Sequence, residues 1–226
     1  MRIIRSFFLA TILLTGVPGI TTSSIGLAQV VPKAVPENTS VTSEYAGSSL
    51  LNIPLVWRPT ETISALDAID LTAFHNKSFT VKPFNDLRRK PSEIGKNVEN
   101  GSLRNTRYVT TRDNVAAWLT DRFGNVLSEF DISVVKDGGT LLLEADIIKF
   151  YVTEESVYKA DIGLKIRAKS KKGDVLWEGV VAVTANRWGK SYTADNYYEA
   201  LSNACIDVVS NLLKSDSFMQ AVKMNK

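Results

Sequence analysis

Histidine and cysteine are almost absent from this chain. Among its 226 residues there is one histidine, His75, and one cysteine, Cys205. An intramolecular disulfide needs two cysteines, and a zinc site needs several nitrogen or sulfur ligands that converge. We therefore expect no disulfide and no metal ion.

Catalytic motifs are absent as well. A Ser-His-Asp or Cys-His site would have to use His75, which lies in a polar turn without a recognisable motif around it. Cys205 lies on the apolar side of a predicted helix, where a buried structural thiol is the ordinary interpretation. No glycine-rich phosphate loop of standard spacing occurs. These absences predict a protein that is not an enzyme and has no cofactor.

The net positive charge is small. The formal net charge is +3, and Arg2 and Arg5 supply two of those charges. Both precede the expected signal-peptide cleavage point, which leaves +1 on the mature chain. A nucleic-acid-binding face needs clustered basic residues. We therefore expect no nucleic-acid partner.

One apolar run near the N-terminus predicts export. Arg2 and Arg5 precede the run Phe7–Val17, and Gly26-Leu27-Ala28 provides the small residues of a cleavage site. We expect 1–28 to be a cleaved signal peptide, with an uncut N-terminal anchor as the alternative. The run is too short for a permanent membrane span, so the mature chain is expected to have none. Residues 29–49 are predicted to form a flexible spacer, and 50–226 a single domain.

Three consecutive strands are predicted in the second half of the chain, at Thr140–Val152, Val157–Ala168 and Val175–Asn186. The middle strand alternates apolar and charged residues, as expected for a strand with one buried face. Its wet face carries Lys159, Asp161, Lys165 and Arg167. Thr153–Ser156, which contains Glu154 and Glu155, is predicted to be a hairpin loop.

Two loops allow a binding or a structural interpretation. The lysine-rich segment Lys169–Asp174 could hold an anion, but we prefer a solvated hairpin tip, because a loop needs polar residues in any case. Arg187–Tyr192 could provide a stacking or carbohydrate surface. We prefer the interpretation that Trp188 covers the edge of the core.

Helical spacing predicts Arg112–Ser128, capped by Thr111, and Asp195–Leu213. Ser215 is predicted to cap a last short helix, Asp216–Val222. The remaining elements are short strands at Phe79–Phe84 and Ile132–Val135, an edge strand or docked extended segment at Leu50–Pro59, and a long polar connection at Asn85–Thr110.

This order of elements predicts a two-layer fold. Two amphipathic helices cannot bury their apolar stripes alone, and one face of a sheet is their natural partner. We expect an α+β domain with a mainly antiparallel sheet of about five strands, covered on one face by two helices.

The chain resembles the YajG family of small bacterial envelope lipoproteins. The resemblance rests on the strand Phe79–Phe84 followed by Asn85-Asp86-Leu87-Arg88-Arg89, on Ile94-Gly95, and on the closing segment Leu201–Asp216. It implies an α/β sheet with two helices, in a layout related to auxiliary components of envelope transport systems. Family members carry a lipid-modified cysteine after the signal peptide. No cysteine precedes Cys205 here, so we expect a periplasmic protein without a lipid anchor.

We expect a non-enzymatic binding or scaffold protein of the cell envelope. The alternative is an auxiliary subunit of an envelope lipid or polysaccharide transport system, which predicts an apolar groove beside the sheet. The candidate binding residues are Asp86, Arg88 and Arg89, although an Asp-Arg ion pair that closes this loop is an equal interpretation. The expected partner is an envelope protein or outer-membrane component, and the sequence leaves room for a homo-oligomer.

Overall fold

The structure, a computed structural model, describes residues 50–62, 69–98 and 106–225. The predicted signal peptide 1–28 and spacer 29–49 lie outside these residues. Within them the chain forms eight strands, three α-helices and a 3-10 helix at Thr72–Phe74. The strands are β1 (Ser78–Val81), β2 (Asn85–Asp86), β3 (Glu93–Asn97), β4 (Arg107–Thr110), β5 (Ser133–Val134), β6 (Leu141–Glu154), β7 (Tyr158–Ser170) and β8 (Val175–Arg187). The α-helices are α1 (Val115–Glu129), α2 (Ala194–Leu213) and α3 (Asp216–Met224).

The long strand β6 is the centre of one mixed sheet. It runs antiparallel to β7, which in turn runs antiparallel to β8. Along its other edge β6 runs parallel to β1, β2 and β3 in succession. Beyond these, β5 pairs with β1 and β4 pairs with β3. The α+β class is confirmed, but the described sheet is mixed rather than mainly antiparallel, with eight strands rather than about five.

The segment Asn85–Thr110, predicted to be a polar connection, contains three of these strands. β1, β2 and β3 are pieces of one interrupted strand that follows β6. Pro83 has no N–H to donate to a sheet ladder, so it separates β1 from β2. Each piece has only two to five residues. Such short pieces show no alternation in the sequence, which explains why the prediction was wrong here.

Side-chain alternation gives the sheet a covered face and an open face. The covered face packs under the helices, and its fully buried members include Leu141, Ile147, Phe150, Ile162 and Leu164. The open face carries exposed and half-buried residues of the same strands. Burying one large apolar side chain contributes about 1.5–3 kcal/mol, so the covered face supplies most of the stability.

The helices begin where side chains cap them. Asn114 accepts a hydrogen bond from the Ala117 N–H at 3.0 Å, so α1 begins at Val115. The predicted cap, Thr111, is wrong because its hydroxyl accepts from the Asp113 N–H instead. Ser215 accepts from the Phe218 N–H and caps α3 as predicted. Among the described helices, none is long and apolar enough to cross a membrane.

The first described segment is extended and docks beside the sheet. The Ile53 N–H donates to the Thr110 carbonyl at 2.9 Å, and the Thr110 N–H donates to the Leu50 carbonyl at 3.1 Å. Further along, the Arg58 N–H donates to the Ser202 hydroxyl of α2. These contacts match the docked-segment interpretation of Leu50–Pro59 and cover the outer edge of β4 at Thr110.

Candidate functional site

Two of the three predicted site residues bind each other. The Arg88 guanidinium donates from Nε and Nη2 to the two carboxylate oxygens of Asp86, at 2.9 and 2.7 Å. It also donates to the main-chain carbonyls of Pro91, Glu93 and Phe150. The Arg88 side chain is only 8% exposed. This geometry supports a structural role in which Arg88 holds the turn after β2 against β3 and β6.

Replacing Arg88 with alanine is expected to lower the free energy of unfolding by about 2 kcal/mol, because Asp86 and three carbonyls lose a charged donor. Arg88→Lys is expected to lose about half as much, since an ammonium cannot form the two-pronged contact. Urea denaturation followed by tryptophan fluorescence measures both. Wild-type stability in Arg88→Ala would count against the structural role and favour a role in binding.

A β-bulge in β6 lies beside this turn. Opposite β7, the register shifts between Ile147 and Lys149, so that Ile148 is an extra residue. Both Ile148 and Lys149 are exposed on the open face. Gly163 of β7 faces them, and a Cβ there would lie 3.2 Å from Cγ1 of Ile148. A β-bulge changes the direction in which the neighbouring side chains point, and bulges are frequent beside functional sites.

Two depressions flank the bulge. The first has a volume of about 300 Å³ and is lined by Arg88, Arg89, Lys90, Glu93, Ile148, Lys149, Phe150 and Tyr151. The second has about 290 Å³ and is lined by Ile148, Lys149, Asp161, Ile162, Gly163, Ala182, Val183 and Thr184. They share Ile148 and Lys149, so they form one continuous surface, which we call the bulge site.

The cations at the first depression differ in how they are paired. Lys90 contacts Glu93 at 3.0 Å, and Lys149 contacts Asp161 at 2.8 Å. Arg89 is exposed and has no hydrogen bond or ion pair with another residue in the described part of the chain. Arg89 is therefore the cation of the bulge site that is available to a partner.

The apolar part of the bulge site is small and exposed. Ile148 is 48% exposed. Just outside the site, Leu87, whose N–H donates to the Ile147 carbonyl, is 58% exposed. An isolated exposed apolar side chain is normal on a protein surface. Two of them beside a free arginine offer both apolar and ionic contacts.

Two side chains of the bulge site, Lys90 and Tyr151, have raised pKa values. The hydrogen bond to Glu93 raises the pKa of Lys90 and keeps it charged. Burial, and then the hydrogen bond to Glu93 at 2.8 Å, raises the pKa of Tyr151 and keeps it protonated. A general acid or base works best with a pKa near the operating pH. The arrangement is therefore better suited to binding than to proton transfer.

The charged side chains that β7 contributes to the open face are all paired. All four charged residues predicted on the wet strand have partners there: Lys159 with Glu155, Asp161 with Lys149, Lys165 with Glu178, and Arg167 with Asp146. Surface pairs of this kind contribute about 0–1 kcal/mol each. They leave little unbalanced charge on β7 for a ligand.

A larger depression, of about 560 Å³, lies beside the 3-10 helix and β5. It is lined by exposed His75 and by Lys77, whose ammonium already donates to the Asn225 carbonyl. In residues 50–62, 69–98 and 106–225, no group of three or more His, Cys, Asp or Glu side chains could hold a metal ion. Cys205 is buried, and burial raises the pKa of its thiol. We place the candidate site at the bulge because this larger depression lacks an available cation.

Two loop predictions need correction. Trp188 was expected to cover the core edge, but it is 69% exposed. Glu154 was assigned to a hairpin loop, but it ends β6 and is 1% exposed. Its carboxylate accepts hydrogen bonds from the Ser191 hydroxyl, the Tyr192 N–H and the Tyr197 hydroxyl. Desolvation, and then the Glu154 charge, raises the pKa of Tyr197. A carboxylate beside a turn looks exposed in sequence, so this network was missed.

No family model and no curated protein sequence matches the chain. Its structure is similar to those of several bacterial proteins at low sequence identity. A protein of family DUF330 from Xanthomonas campestris is 15% identical, with a TM-score of 0.45 over 64% of this chain and 85% of that one. PelC, a dodecamer from Paraburkholderia phytofirmans, is 10% identical, with a TM-score of 0.38 over 66% and 88%. A minor lipoprotein from Acinetobacter baumannii is 5% identical, with a TM-score of 0.36 over 62% and 92%.

Proposed function

We propose that this chain is a non-enzymatic binding protein of the bacterial cell envelope, and that the bulge site binds an acidic segment of a partner protein. The observation that carries the proposal is the bulge itself. It places exposed Ile148 and Lys149 beside the unpaired Arg89, next to a strand, β7, whose open-face charges are all paired.

The shape of the bulge site favours an extended segment over a compact small molecule. Small-molecule pockets are concave and usually enclose most of their ligand. The two depressions instead lie side by side on an open face, and each has about 300 Å³ or slightly less. A peptide strand could place one apolar side chain against Ile148 and extend its backbone across both.

The charge of the first depression favours an anionic partner. Four of its lining side chains are basic and one is acidic. Arg88 is already held by Asp86, which leaves Arg89, Lys90 and Lys149 at the surface. Charges at the rim of an interface steer association and set specificity.

The proposal includes a location, the periplasm. The basic start and apolar run Phe7–Val17 support export, and the resemblance to the YajG family supports the envelope. The lack of a cysteine before Cys205 supports a periplasmic form without a lipid anchor. An envelope protein is therefore the expected partner.

Charge reversal at the bulge site tests the proposal. In the double variant R89E/K90E, recovery of the partner after chemical crosslinking in intact cells is expected to fall at least tenfold, because two attractive charges become repulsive. Quantitative mass spectrometry of the crosslinked product measures the recovery. Thermal stability should fall only slightly, because neither residue is buried and the surface pair Lys90–Glu93 that K90E breaks contributes about 0–1 kcal/mol.

The matched control is K171E/K172E at the β7–β8 hairpin tip, which makes the same charge change on two exposed lysines. Its recovery is expected to equal that of the wild type. If K171E/K172E loses the crosslinked partner while R89E/K90E keeps it, the binding site is the lysine cluster at the hairpin tip and not the bulge site. Lipid or polysaccharide in the crosslinked product, in place of a protein, would favour the transport-subunit alternative.

A further inference from the structure

The outer edge of β8 is a long strand edge that no other described strand covers. β8 has 13 residues and pairs with β7 alone. The opposite side of the sheet is better protected, because β5 has two residues and the segment from Leu50 to Ile53 hydrogen-bonds to β4. An uncovered edge presents a row of N–H and C=O groups to which another strand can add.

The central part of β8, Gly179–Asn186, lacks the features that keep an edge strand unpaired. Gly179–Asn186 contains no charged residue and no proline. The only register shift between β7 and β8 lies near the start of β8. Val175 and Val180 are 55% and 61% exposed. Natural edge strands are usually protected by charges, proline or bulges, and an uncharged β-branched run is prone to aggregate when uncovered.

We propose that β8 pairs antiparallel with β8 of a second copy of this chain, about a two-fold axis at Ala182. This register places Val180 opposite the partner's Thr184 and Glu178 opposite the partner's Asn186. It also places Trp177 opposite the partner's Arg187, where a cation can approach an indole ring.

The self-pairing is electrostatically permitted. Between Leu176 and Arg187 the only charged residues are Glu178 and Arg187, and the register brings no two like charges opposite each other. Glu178 already contacts Lys165 at 3.0 Å, and Arg187 contacts Glu199. Both charges therefore remain neutralised when the edge is covered.

The dimer would join the two open faces into one. Adjacent strands lie about 4.8 Å apart, and five such spacings separate the two copies of β6, so the two bulges would lie about 24 Å apart. If the bulge site acts as proposed above, one partner with two acidic segments could bind both sites, which raises avidity. Only this consequence depends on the proposed function.

A charge-swap experiment tests the two-fold axis. Ala182 is exposed and its neighbour on β7 is Gly163, so a longer side chain has room in the single chain. In A182K or A182E, two like charges meet at the axis, and the dimer dissociation constant is expected to rise at least tenfold. An equimolar mixture of A182K and A182E is expected to recover dimers with one chain of each. Sedimentation equilibrium of the purified mature chain measures all three, with K172E as a charge control that stays dimeric.

Thermal unfolding of each variant checks that the chain is folded. A wild-type monomer at micromolar concentration, variants that stay dimeric, or a mixture that fails to recover would each overturn the proposal. Slow hydrogen exchange of the β8 amide protons in a monomer would show that residues 29–49 of the same chain cover the edge. That result would also overturn the proposal. R89E/K90E is expected to remain a dimer, so failure of the bulge-site proposal is distinguishable from failure of this one.

Discussion

Replacing Glu154 with alanine is expected to lower the free energy of unfolding by about 4 kcal/mol. The Glu154 carboxylate accepts from the Ser191 hydroxyl at 2.9 Å, the Tyr192 N–H at 2.6 Å and the Tyr197 hydroxyl at 2.8 Å. Tyr197 is fully buried, so its hydroxyl cannot turn to water when the carboxylate is removed. Orphaned buried donors cost about 1–3 kcal/mol each, and two or three are orphaned here.

Two substitutions separate this network from a general effect of lost charge. Glu154→Gln is expected to lose only about 1–2 kcal/mol, because its carbonyl oxygen still accepts and the Tyr197 hydroxyl can accept from the amide. The neighbouring Glu155 is exposed and contacts Lys159 at 3.7 Å, so Glu155→Ala should lose less than about 0.5 kcal/mol. Urea denaturation measures all three. Equal stability of Glu154→Ala and Glu155→Ala would show that the network adds nothing.

Gly95→Ala is expected to lower the free energy of unfolding by about 3 kcal/mol. A Cβ at Gly95 would lie 2.8 Å from the Val152 carbonyl oxygen and 2.8 Å from Cε1 of Tyr197. The carbonyl belongs to β6, the strand that pairs with β3, so it can move only if the ladder distorts. Overpacking of a buried site typically costs about 1–3 kcal/mol, and a backbone contact places this case at the upper end.

Gly124→Ala is the matched control for Gly95→Ala. A Cβ at Gly124 would meet Cγ1 of Val134 at 3.9 Å and Cγ2 of Val81 at 4.0 Å, which are ordinary contacts. Gly124 lies inside α1, where alanine is favoured over glycine by about 1 kcal/mol. Thermal and urea unfolding should therefore show opposite signs for the two substitutions. A shift of the same sign and size in both would contradict the close approach at Gly95.

The long elements could be predicted from the sequence because each has a strong local pattern. Alternation in β7 and the helical stripe of α2 place both within about two residues of the structure. The caps behave less uniformly, since Ser215 caps α3 while Asn114 takes the place of Thr111. Two nearby polar residues offer the same kind of acceptor, and only the backbone path decides between them.

The short strands could not be predicted, because tertiary pairing rather than local pattern creates them. β2 has two residues and exists because Asn85 and Asp86 lie beside Asp146 and Ile147 of β6. The parallel direction of this pairing leaves no mark on the sequence of either strand. Arg88, which looks like a surface ligand in a polar stretch, is buried by the same pairing.

Only part of the bulge site could be predicted from the sequence. Arg89 was named, but Ile148 and Lys149 were not. A signal was present in the sequence, since apolar Ala145 and Ile147 flank charged Asp146 at odd positions, whereas apolar Phe150 and Val152 follow charged Lys149 at even positions. Such a switch within one continuous strand requires an extra residue between Ile147 and Phe150. The pairing of the wet-face charges depends on the register across three strands and could not be predicted.

The most direct test of the account is photocrosslinking in intact cells from a benzophenone amino acid placed at Ile148. If the bulge site binds a partner, one discrete crosslinked product is expected at Ile148. It should be absent when the same amino acid replaces Lys172 at the hairpin tip, and it should disappear when R89E/K90E is combined with the probe. No product at Ile148 above the Lys172 control, or a product unaffected by R89E/K90E, would contradict a binding role for the bulge site.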